Sequence, residues 1–125
     1  MLCAFARDYD LDEATALAIA RGFGSGMATA CTCGVISGAV MVIGLSTGKN
    51  TDNREAKQTA YRMAKEFTKW FEGRYGTTLC RELLGCDVSD PEIARVAREK
   101  DLFTPVCTPM IRETVKWLEG KITTS

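Results

Sequence analysis

The chain has 125 residues, 46% hydrophobic and 26% charged, the proportions of one globular domain with a full core. Sixteen basic and sixteen acidic residues cancel, which argues against a nucleic-acid partner or an anionic membrane surface. Histidine is absent, so the commonest general base, zinc ligand and haem ligand is missing, and any metal must rest on thiolate, carboxylate or backbone.

The first segment, Met1 to Arg7, is apolar and helix-prone and reads as the tail of a helix that begins earlier. Arg7, Asp8 and Asp10 follow Met1 too closely to leave room for a secretory apolar region. A cytoplasmic protein with reduced thiols is therefore expected. Asp10, with Glu13 in the capping-box position, predicts the next helix start, and Leu11, Ala14, Leu17 and Ala18 repeat at helical spacing. That helix should stop near Gly22. Gly22, Gly24 and Gly26 then predict a turn with backbone at positive φ.

A helix apolar on nearly every face is expected from about Cys33 or Gly34 to Leu45, surrounded by other helices. It is too short to span a bilayer, so no stable membrane insertion is expected. Gly34 and Gly38 lie one turn apart and should let a neighbour approach closely. Ser46 to Asn50 reads as a loop, and Asp52 with Glu55 as a second capping box. The longest helix, about Asn53 to Tyr75, carries Ala56, Ala60, Met63, Ala64, Phe67, Trp70 and Phe71 on one stripe and ends at Gly76. A short helical turn follows over Cys80 to Leu84. Asp90 with Pro91, and Thr108 with Pro109, repeat one start signal. They predict helices over about Pro91 to Lys100, with Ile93, Val96 and Ala97 inward, and over about Pro109 to Ile122, with Ile111, Val115, Leu118 and Ile122 inward. No strand pattern or repeat is visible. The expected fold is all-α: one domain over residues 1–125, a compact bundle of four to five main helices with short connecting turns.

The chemistry that the residues suggest is that of sulfur. Six cysteines are too few for a disulfide scaffold, and in a reducing compartment clustered thiols point to redox or metal chemistry. Cys33, Cys80 and Cys107 are each predicted at a helix start, where unpaired amides favour a thiolate and lower its pKa. Converging there, they would be catalytic thiols or metal ligands, with Cys31 or Cys86 as a fourth thiolate. Four sulfurs would suit an iron–sulfur cluster or zinc, and two in contact a thiol–disulfide switch. A free cysteine is also simply a small buried hydrophobe. No Cys-x-x-Cys or haem-attachment spacing is present. Gly24, Gly26, Gly34 and Gly38 are candidates for giving room to a bound group. The glycine turn follows a helix and lacks lysine, so it is not a phosphate loop. Glu55, Glu66, Glu92 and Glu113 fall on polar faces. The alternative is a non-catalytic helical interaction module, such as a homodimer, for which the aromatic stripe and the first helix would leave an apolar face.

Cys33-Gly34-Val35-Ile36-Ser37-Gly38-Ala39 resembles the CGAxxG motif of the C_GCAxxG_C_C family, small bacterial and archaeal proteins held to be redox-active. Gly22 to Met27 is similar to the glycine turn ahead of that motif. Cys80 to Gly85 with Asp87, and Cys107, resemble the later cysteine segments. The resemblance covers nearly the whole chain and implies an all-helical domain with a redox or metal-centre role and an unknown redox partner. A likeness of such domains to part of a haem-binding cytochrome does not extend here, because no histidine could ligate the iron, and haem is not expected. Two departures stand out. Val35 replaces the family's alanine. The family's first cysteine would fall ahead of Met1, with Cys3 a partial substitute on the same helix, so a complete four-thiolate centre is not implied.

Overall fold

The apolar run after Cys33 becomes the helix that the others cover. The structure is a computed structural model that describes residues 1–48 and 53–122. Its elements are α1 (Leu2–Phe5), α2 (Glu13–Ala20), α3 (Gly34–Ser46), α4 (Arg54–Tyr75), α5 (Cys80–Leu84), α6 (Pro91–Glu99) and α7 (Phe103–Ile122). The fold is all-α, and five of these helices run eight residues or more. Among the described residues, extended pairing is confined to one antiparallel bridge between Thr32 and Leu79.

Helix α3 packs against α1, α4 and α7. It buries Val35, Ile36, Ala39, Val42 and Ile43, the last three completely. Helix α4 lays its stripe on this core, with Phe67 and Phe71 fully buried. Trp70 stacks on Trp117 of α7, with ring centroids 5.8 Å apart and planes 27° apart. Phe67 and Trp70 of the aromatic stripe thus pack on Trp117 of the chain's own last helix. Gly76, at φ 81°, ends α4 as expected. Asn53 caps it by accepting from the Ala56 amide at 2.9 Å. Asp52, half of the expected capping box, lies outside the described residues, as do the last two residues of the expected loop.

Several expectations need correction. Helix α2 is capped by Asp12, which accepts from the Thr15 amide at 3.0 Å. Asp10 is instead a left-handed residue closing a short turn from Arg7. This shift rotates the helix. Ala16 faces the core, while Leu17 and Ile19 are 55% and 53% exposed. Ile93 is also exposed, with Ala97 the buried residue of α6. The largest change is in α7, which starts at Phe103 and carries Pro109 in its interior. Asp101 supplies the start: its carboxylate accepts from the Thr104 hydroxyl at 2.7 Å and amide at 3.4 Å. Phe103, Val106, Cys107 and Met110 then follow at i, i+3, i+4 and i+7, one face of a helix. That apolar face outweighs the hydrogen bond that an interior proline removes. The buried positions along α7 are Met110, Thr114 and Leu118, with Ile111, Val115 and Ile122 partly buried beside them.

Candidate thiol centre

The chain enters α3 through an unusual turn. Ser25, Gly26, Met27, Ala28 and Ala30 all have positive φ, between 51° and 61°. The turn is closed by the Cys31 amide donating to the Gly26 carbonyl at 3.1 Å. The Thr29 hydroxyl donates to the same carbonyl at 3.0 Å. For residues bearing a Cβ, each left-handed position costs about 1–2 kcal/mol, so this shape is held by its surroundings. Only Gly26 needs to be glycine. A Cβ there would overlap the Cys31 amide nitrogen and lie 2.7 Å from the Cys31 carbonyl oxygen. Gly24 is extended, at φ −63°, so the expectation of positive φ throughout the glycine turn is corrected.

Leaving the turn, residues 31–33 pair with residues 78–80. The Cys33 amide donates to the Thr78 carbonyl at 2.8 Å, and the Cys80 amide to the Cys31 carbonyl at 2.6 Å. These two bonds set the start of α3 beside the start of α5. The third wall comes from α7. Cys33, Cys80 and Cys107 line one cavity of about 150 Å³, together with Ser25, Gly26, Gly34, Val35, Leu84 and Phe103. The three cysteines singled out in the sequence therefore meet. Cys33 and Cys80 are each 7% exposed, and Cys107 is half-buried.

The reason for their meeting differs from the expected one. Cys33 is the N-cap of α3 and Cys80 the first residue of α5, but Cys107 lies in the second turn of α7, well past its start. The expected lowering of the Cys33 pKa is also reversed. Burial pushes this thiol up, and the opposing amides of Val35 and Ile36 recover only part of the shift. Cys107 is raised by burial and then by the Cys33 charge. Cys80 is pushed up to about 11, by burial first and then by Cys33, Cys107 and Cys86 in that order. Near neutral pH the cavity is a set of protonated, mutually coupled thiols. All six cysteines are free.

Of the other candidates, Gly26 and Gly34 line this cavity, while Cys31, Cys86, Gly24 and Gly38 fall outside it. Cys31 faces Cys80 through its backbone, but its thiol turns to the Thr29 carbonyl at 3.6 Å. Cys86 is half-buried and lines a separate surface depression. Gly34 and Gly38 give room to neighbouring parts of the chain. A Cβ on Gly34 would come within 2.9 Å of the Phe23 carbonyl oxygen, and one on Gly38 within 2.7 Å of the Met1 Cβ. Around Gly24 there is open space. Among the described residues, no three Cys, Asp or Glu side chains are grouped so that they could hold one metal ion. The sequence expectation of positive φ holds at Gly26 but missed Ser25, Met27, Ala28 and Ala30, since these four residues carry a side chain.

A family model described as "Putative redox-active protein (C_GCAxxG_C_C)" matches residues 1–121. No curated protein and no solved structure gives a significant match.

Proposed function

This chain belongs to the C_GCAxxG_C_C family, and on that premise we propose that it is a thiol–disulfide redox protein whose working pair is Cys33 and Cys80. The observation that carries this reading is the shared cavity of Cys33, Cys80 and Cys107. Of the three neighbouring thiols, Cys33 acts most strongly on Cys80, which favours that pair over one with Cys107. The cavity, at about 150 Å³, is below the 300 Å³ or so of an ordinary small-molecule site. Sulfur exchange between cavity residues needs no such volume.

In the reaction, Cys33 and Cys80 lose two electrons and two protons to an external disulfide, which becomes a dithiol. Attack begins from a thiolate. Cys33 supplies it, because the Val35 and Ile36 amides stabilise the negative charge there. Cys80 stays protonated until its sulfur is engaged. Cys107, in the same cavity, is placed to exchange with either sulfur.

The test is a free-thiol count with peptide mapping, before and after incubation with oxidised dithiothreitol, on anaerobically purified protein. Two thiols should disappear and map to Cys33 and Cys80. Retention of all six thiols, or a disulfide elsewhere, overturns the reading. Metal analysis of the same sample is the second arm. A stoichiometric metal lost on mutation of Cys33, Cys80 and Cys107 would replace the disulfide by a metal centre.

A further inference from the structure

Cys33 and Cys80 are each only 7% exposed, which raises the question of whether a more exposed thiol carries electrons to them. Cys86 packs against the buried cluster of Ala30, Cys80, Val88 and Ala97. Its charge also acts on Cys80, after those of Cys33 and Cys107. Yet Cys86 does not line the inner cavity. It lines a surface depression of about 260 Å³ with Glu92, Ile93, Val96, Ala97 and Leu102. Ile93 and Leu102 on that depression are 38% and 37% exposed. One thiol therefore packs against the buried cluster that holds Cys80 and also lines the surface. Cys107, the other half-buried thiol of this group, borders the inner cavity.

We infer that Cys86 is the exchange thiol through which an external dithiol reduces the buried Cys33–Cys80 disulfide, an assignment that rests on the function proposed above. In the first step the Cys86 thiolate attacks Cys80 Sγ. A Cys80–Cys86 bond forms, the Cys33–Cys80 bond breaks, and its electron pair leaves on Cys33. The Val35 and Ile36 amides stabilise that leaving thiolate, which then takes up the proton that Cys86 released. In the second step one thiolate of the external dithiol attacks Cys86 Sγ, and the electron pair leaves on Cys80, which is protonated. In the third step the dithiol's second thiolate attacks its own sulfur in the mixed disulfide and frees Cys86. The dithiol is oxidised by two electrons, and the protein gains two electrons and two protons. Attack falls on Cys86 rather than Cys80 in the second step because Cys80 is buried.

The experiment uses the full chain oxidised as above, together with Cys86→Ser and Cys86→Ala. Reduction is started with dithiothreitol and followed by thiol appearance. Glutathione is added in a parallel sample of unmutated protein, and the mixed disulfide is mapped by mass spectrometry. Both variants should still reach the loss of two thiols on prolonged oxidation, but should lose and then regain them at least about tenfold more slowly, since one exchange path carries both directions. Glutathione should be found on Cys86. Reduction of both variants at the unmutated rate, or glutathione on Cys107 or Cys80, overturns the role of Cys86 and leaves the Cys33–Cys80 redox pair standing. If the unmutated protein forms no Cys33–Cys80 disulfide, the redox pair falls and the exchange role with it. The glutathione arm does not depend on either variant folding.

Discussion

Cys80 stands where three other thiols act on one sulfur, and its titration is the property most open to measurement. Its pKa is raised from an ordinary 9.0 to about 11, with burial the main cause. Below pH 9 both the folded and the unfolded chain keep this proton, and the shift has no effect on stability. Between pH 9 and 11 the unfolded chain ionises first, so stability falls as pH rises through that window. Urea unfolding of the reduced protein from pH 8 to pH 11 should show that fall, and Cys80→Ser should flatten part of it. An unchanged slope in the variant would place the titration elsewhere. The sequence put Cys33 at a helix start correctly, because glycine and an apolar run follow it. The direction of its pKa was not legible. The depth of burial depends on α5 and α7, which reach Cys33 from 47 and 70 or more residues further along the chain.

At the level of elements, the left-handed turn is the piece most tied to the site. It ends at the residues that pair with 78–80, so its shape decides where Cys33 and Cys80 meet. Gly26→Ala should therefore destabilise the protein by at least about 1–2 kcal/mol from the left-handed backbone alone, with more from the overlap with Cys31. Gly24→Ala, with extended backbone and open space around it, should stay within about 0.5 kcal/mol. Denaturant midpoints of the two variants check the contrast. Capping and glycine signals read α4, α5 and α6 to within a residue or so, because those signals act locally. They misread α7, where Thr108-Pro109 looks like a start and the apolar face from Phe103 to Met110 carries the helix past it. They also misread the buried face of α2, since alanines give a helix little preference for either side.

Across the whole molecule, the all-α class was legible from helical periodicity, whereas the cavity that Cys33, Cys80 and Cys107 line depends on α7 starting ahead of Cys107, which the three expected helix starts did not carry. The packing of the helices was also less legible. Whether the other four long helices would surround α3 as one regular bundle is a matter of crossing geometry that no local signal carries. A disulfide between Cys33 and Cys80 would close a loop through α3 and α4, the two longest core-forming segments between them. Chain-entropy reasoning gives about 4 kcal/mol for a loop of that length. Oxidised protein should therefore unfold at a clearly higher urea concentration than reduced protein, and equal midpoints would mean that the bond strains the fold by as much as it restricts the unfolded chain.

The Trp70–Trp117 stack joins α4 to α7, and the chain has only two tryptophans. Its indole absorption and fluorescence thus come from one seam, on the same helix that carries Cys107. Any movement of α7 on sulfur chemistry would be written directly into the near-ultraviolet spectrum, with no added label.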